Sequence, residues 1–171
     1  MPEASIQCRF PRSFEVVVPI WVDADACPAP VKELLFRAAD RTQTRTTLVS
    51  NQIVRTPKSP WIGSVLVPGG MNVADRRIVE LLAAGDLVVT ADIPLAADAV
   101  ARGATVLDPR GTVLTEANIG ERLAMRNLMD EMRGAGEVIR GPSNYTPRDR
   151  QAFANQLDRW LVASQKSQRT S

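Results

Sequence analysis

Apolar positions along the chain alternate between two rhythms. Short runs that are apolar on every position read as strands buried on both faces, and stretches with apolar residues three and four apart read as amphipathic helices. Val16 to Val22 is the first such run. Val31 to Asp40, with Val31, Leu34, Leu35 and Ala38 on one face, is the first helix. Strands follow at Thr46 to Ser50, Gly63 to Val67, Asp86 to Thr90 and Ala104 to Leu107. Between them, a helix opens at Asn72 as N-cap and closes at Gly85 as a left-handed C′ residue, and another runs from Pro94 to Arg102 and stops at Gly103. Glu116 to Arg133 and Pro147 to Ser164 read as two longer C-terminal helices. Five alternations of strand and helix predict an α/β fold: a central parallel five-stranded sheet flanked by helices.

The 171 residues suffice for one well-buried domain, here expected over 16–165, with a flexible extension over 1–15 and a disordered tail over 166–171. No apolar run approaches the roughly 20 residues of a membrane span, and the first 15 residues lack a signal-peptide core. A cytoplasmic protein is the expectation. The two cysteines, Cys8 and Cys27, are too few for a disulfide framework. A net charge of +2 is nearly silent about partners. The histidine count of zero is not: it excludes Ser-His-Asp and Cys-His catalysis and every His-containing zinc site. Carboxylates, a cysteine, basic residues or a bound metal must carry any chemistry.

The stretch PIWVDADACPAP, Pro19 to Pro30, concentrates that chemistry. A strand ends in Asp23 and Asp25, and two prolines then open a helix. Asp92 stands in the same place after the fourth strand, and Asp75 lies in the first turn of the helix after the third. Should strands one and four be neighbours at a topological switch point, all four acids converge on one rim of the sheet. Hard oxygen donors without histidine suit Mg²⁺ or Mn²⁺. Each acid also has a plainer reading: Asp75 as a dipole-complementing cap, Asp25 as a cap for the helix near Pro28. Asp23 is harder to dismiss, since a carboxylate after an apolar strand is costly unless paired or metal-bound. Cys27, near a helix start but among carboxylates, reads as a buried packing residue. Asn51, Arg110, Arg126 and Arg140 lie in or near loops that can face the same rim and hold phosphates.

The segments WVDADACP, NVAD, VVTADIPLA, DPRG and DRQAFANQLDRWL, in that order, resemble the YaiI/YqxD family of uncharacterised bacterial proteins, from about Trp21 to Leu161. The resemblance implies a PIN-like fold, with an acidic pocket at the carboxyl edge of the sheet that many PIN-like proteins use to bind Mg²⁺ or Mn²⁺ and cut RNA or DNA. On that analogy Asp23, Asp75 and Asp92 are metal ligands, Asp25 joins them in catalysis, and Thr90 and Asn72 face the substrate. Asn72 stands where an aspartate is expected. The implied function is a metal-dependent nuclease or phosphodiesterase, with RNA or another nucleic acid as partner. Two alternatives stay open: a non-catalytic RNA- or protein-binding module, and a haloacid-dehalogenase-like phosphatase with Asp23 as nucleophile and Asp25 as general acid.

Overall fold

The structure, a computed structural model, describes residues 18–138 and 144–170. Its elements in order are β1 (Ile20–Asp23), α1 (Ala29–Thr42), β2 (Thr46–Ser50), β3 (Ile62–Leu66), α2 (Val73–Leu81), β4 (Leu87–Val89), α3 (Ile93–Ala101), β5 (Thr105–Leu107), β6 (Val113–Leu114), α4 (Glu116–Gly134) and α5 (Pro147–Arg169). The sheet order is β3-β2-β1-β4-β5-β6, parallel throughout except for β6. The direction of winding therefore reverses between β1 and β4, and the carboxyl ends of those two strands form the switch point.

Both faces of the sheet are covered. One core joins β1 and β2 to α1 and α5 through Val22, Leu35, Leu48 and Phe153; the other joins β4 and β5 to α2 and α3 through Val88, Ile78, Leu95 and Val106. Helix α5 is anchored by Phe153, Leu157 and Leu161, four residues apart and all fully buried. Each contributes about 2 kcal/mol of hydrophobic burial. Helix α4 buries no residue completely, reaches the second core through Ile119, and leaves Met125 and Leu128 half exposed. No helix among the described residues is long and apolar enough to cross a membrane.

The parallel alternation is as the pattern predicts, with three differences. A sixth strand, β6, pairs antiparallel with β5. Two residues are too short to carry a periodicity; the hairpin is made by the DPRG turn, in which Gly111 N–H donates to Asp108 O at 2.9 Å and Asp108 N–H to Thr112 O at 2.9 Å. Helix α2 stops at Leu81, four residues before Gly85, because buried Asp86 accepts Ala83 N–H at 2.8 Å and Trp21 Nε1–H at 2.9 Å and holds 83–86 as a turn. Helix α5 continues to Arg169, through most of the segment expected as a tail, with Lys166 and Arg169 complementing its dipole in the last turn. The extension expected over residues 1–15 lies outside the described residues.

The β5–β6 turn docks closely on α5. Gly111 has φ +90°, and a Cβ there would sit 2.5 Å from the Ala152 carbonyl carbon. Tyr145 Oη donates to Pro109 O at 3.1 Å, and Arg110 pairs with Asp149 at 3.0 Å, where Asp149 also accepts the Thr146 N–H as the α5 capping box. Gly111→Ala is expected to cost more than about 2 kcal/mol by urea unfolding, because backbone strain and a backbone clash coincide. Gly120→Ala, in open space on α4, should be neutral or stabilising by up to about 1 kcal/mol.

Candidate acidic site at the switch point

The register sets the centre of the site. Val22 lies opposite Val89, so the next residues along the two strands, Asp23 and Thr90, are brought side by side. Both are buried. Thr90 Oγ1 donates to Asp23 Oδ2 at 3.0 Å, and it accepts the Asp92 N–H at 3.0 Å. The hydroxyl has one proton, and it is committed to Asp23. Asp92 is the N-cap of α3, its Oδ1 accepting Leu95 N–H at 2.9 Å. Asp25, exposed in the loop after β1, accepts the Asn51 N–H at 2.9 Å and ties the start of the β2–β3 loop to the same rim.

Burial pushes the Asp23 carboxyl up to about 6. The Thr90 hydrogen bond opposes that rise, and the charges of Asp75, Asp92 and Asp25 add to it. Asp75 is likewise raised, by burial and by Asp92 and Asp98. The carboxylates thus act on one another across a shared space. Asp75, Asp92 and Asp98 face a cleft of about 430 Å³ in the groove between α2 and α3, which Asn72, Arg76 and Glu80 of the α2 side and Arg126 of α4 also line; Asp23 and Asp25 do not line it.

Of the acids predicted from sequence, Asp75 and Asp92 line the cleft and Asp23 lies buried next to Asp92 through Thr90, while Asp25 turns toward the β2 side. Asp75 occupies the first turn of α2, as its plainer reading required, and faces the cleft as well. Asn72 has the left-handed φ of 62° and makes no side-chain cap. Thr90, expected to face substrate, is buried, and its hydroxyl donates to the Asp23 carboxylate and accepts the Asp92 backbone N–H. Asn51 contributes its backbone to the rim. Arg126 lines the cleft and also pairs with Asp130 at 3.3 Å, one helical turn on. Arg110 does not join them: its guanidinium is engaged by Asp149 at the start of α5. Arg140 lies outside the described residues. Cys27 is buried, its thiol pushed up to about 12 chiefly by that burial, as suits a packing residue.

Arg76, Glu80 and Asp98 are charged cleft residues that were not among those predicted from sequence. The signal was present as helical spacing: Asn72, Asp75, Arg76 and Val79 share one face of α2, and Pro94, Leu95 and Asp98 one face of α3.

A model of the family described as "Uncharacterized BCR, YaiI/YqxD family" matches residues 21–163. The chain belongs to the YaiI/YqxD family. A UPF0178 protein of Cellvibrio japonicus is 57% identical over 150 residues, covering 87% of this chain and 99% of that relative. Relatives from Dechloromonas aromatica, 58% identical over 84% of this chain and 95% of theirs, and Marinobacter nauticus, 54% over 84% and 96%, bear the same designation. No solved structure matches. The matched region takes in both Asp23 and Asp92, so the switch point falls wholly inside the family's common part.

A carboxylate raised in the folded state binds its proton more tightly there than in the unfolded chain. Stability from this group is complete below about pH 4 and lost as pH rises through about 6. Asp23→Asn keeps an oxygen for the Thr90 hydroxyl and removes the buried charge. It is therefore expected to stabilise the protein by on the order of 2 kcal/mol at pH 8, with the gain shrinking toward zero near pH 4, as read from urea unfolding at both pH values.

Proposed function

We propose that this YaiI/YqxD protein is a divalent-metal-dependent phosphodiesterase acting on nucleic acid, with its reacting centre at the β1–β4 switch point. The observation that carries the reading is Asp23: a buried carboxylate at a strand's carboxyl end, destabilised by three neighbouring carboxylates and held by one committed hydroxyl. Strain of that kind is expected where a cation completes the site.

The donor chemistry fits Mg²⁺ or Mn²⁺, being hard oxygen throughout. Among the described residues no three His, Cys, Asp or Glu side chains are gathered to hold an ion by themselves. That is compatible with Mg²⁺, which commonly takes one or two carboxylates and completes its shell with water and substrate phosphate oxygens. When bound, the ion supplies charge neutralisation at the phosphate and a water of lowered pKa. Asp23 and Asp92 are the residues to hold it, with Asp75 across the cleft. Thr90 fixes the Asp23 carboxylate, and α3, capped by Asp92, fixes Asp92 itself. Arg76 and Arg126 are the two cations among the four acids of the cleft, and they are the groups to meet a phosphate that a bound cation brings there.

The expected result is saturable Mg²⁺ or Mn²⁺ binding by calorimetry that is lost in Asp23→Asn and Asp92→Asn. Cleavage of single-stranded RNA should fall by about 100-fold or more in both variants. The Asp23 carboxylate must be ionised to hold a cation, so activity should decline as pH falls through about 6. Thr90→Val, which removes the hydrogen bond favouring the ionised form, should move that midpoint upward. Cleavage unchanged in Asp23→Asn would end this reading. Binding of RNA without turnover under either ion would return the non-catalytic module in its place.

A further inference from the structure

Helix α4 carries an apolar stripe that the described part of its own domain does not cover. Met125, Leu128, Met129 and Met132 are spaced so that they share one face of the helix. Met125 and Leu128 are half exposed, Met129 and Met132 partly so, and none of the four belongs to either core. The helix meets α3 with its opposite face, from which Ile119 reaches the second core. Three of the chain's five methionines stand on this stripe, which makes it a concentration of adaptable apolar side chains and not a scatter of single exposed residues. A helix of 19 residues is marginal in water by itself and draws its stability from packing an apolar face. Beyond Met125 that face is in water, so the second half of α4 is built to pack on something further.

The charges beside the stripe decide what that is. Arg122 and Arg133 border it on one flank, while Glu121 and Glu131 stand toward the other. Arg126, further round the basic flank, shares Asp130 with Arg133, at 3.3 and 3.4 Å, and one carboxylate between two guanidiniums leaves that flank positive. A stripe with one basic and one acidic flank is complementary to a second copy of itself. Two such helices related by a two-fold axis parallel to them set the basic flank of each beside the acidic flank of the other, whereas an antiparallel pair sets arginine beside arginine. The domain bodies then lie behind the helices, on the Ile119 side, and stay clear of one another. We infer that two copies of this chain associate through α4 as a parallel helix pair, with Met125, Leu128, Met129 and Met132 in the seam. A net charge of +2 does little to keep the copies apart. The seam is short beside the roughly 800 Å² per partner of a standard interface, so the dimer is of the weak, concentration-dependent kind. Helix α4 reaches the carboxyl edge, where Arg126 meets the first half of α3, and the parallel pairing therefore turns both acidic clefts the same way. The pairing itself requires neither a metal nor a nuclease activity.

Sedimentation equilibrium of the full chain tests this. The parent should pass from monomer to dimer with a dissociation constant on the order of tens of micromolar, as a small interface supports. Leu128→Asp should weaken association by about 30-fold or more, and Leu128→Gln by less, with thermal unfolding as in the parent because residue 128 lies outside both cores. Arg133→Glu should also weaken it, and adding Glu131→Arg should restore it, which only opposed flanks explain. In a Cys8→Ser background, Met132→Cys should cross-link to its own copy on mild oxidation. A chain still monomeric at about 500 µM would overturn the inference, as would a dimer unmoved by both Leu128→Asp and Arg133→Glu. Cross-linking of Met132→Cys with Met125→Cys and never with itself would overturn the parallel arrangement. A monomer whose Met125, Met129 and Met132 methyl resonances move with Phe14→Ser would overturn the dimer and give the stripe to the chain's own amino-terminal segment.

Discussion

The hydrogen bond from Thr90 to Asp23 depends on the parallel pairing of β1 with β4, and the organisation of the rim depends on that hydrogen bond in turn. A carboxylate at the end of a fully buried strand loses most of its hydration, which costs several kcal/mol unless other groups replace the water. Here one hydroxyl does so, oriented by the Asp92 N–H. The replacement is incomplete, since Asp75, Asp92 and Asp25 all act to destabilise the charge. A proton or a cation relieves the same strain, and the two compete for the same oxygens. On the proposed reading, the electrostatic cost at Asp23 is what a bound cation would offset.

That cost requires a scaffold stiff enough to bear it. The sheet is packed on both faces, with α1 and α5 on one side and α2 and α3 on the other, so β1 and β4 cannot move apart to hydrate Asp23 without opening two cores. Helix α5 contributes from a distance. Its Phe153 sits in the core beneath β1, and its first turn is locked to the β5–β6 hairpin through Arg110, Tyr145 and the close approach of Gly111. Helix α4 is built differently: it packs on α3, brings Arg126 to the cleft and leaves much of its length in solvent. Asp23 and Asp92 thus rest on the packed parts of the domain, whereas Arg126, one of the two cleft arginines, rides on the helix with no fully buried residue.

The carboxyl edge is consequently asymmetric. On the α2–α3 side of the switch point lies a charged cleft with acids and two arginines; on the β2–β3 side lies a smaller, apolar cavity with exposed Ile53 and Leu66 at its mouth. Asp25 spans the division through its bond to Asn51.

Most of the architecture was legible from the chain because it is written in local terms. Continuous apolar runs, period-3.6 patterns, prolines at helix starts and Gly103 after α3 are decided within a few residues, and so the alternation and the aspartates after β1 and β4 could be read directly. What required the tertiary structure was whatever depends on partners distant in sequence. The β1–β4 register placed Thr90 against Asp23, 67 positions away, and turned a residue expected to face substrate into one that orients a carboxylate. The buried contacts of Asp86 with Trp21 and Ala83 ended α2 early, and the ion pair with Asp149 took Arg110 from the rim. Arg76 and Asp98 became members of the site only when α2 and α3 packed side by side. A local pattern states which face of an element is buried. Which polar groups meet across that face is a matter of register and packing, which no short window of sequence contains.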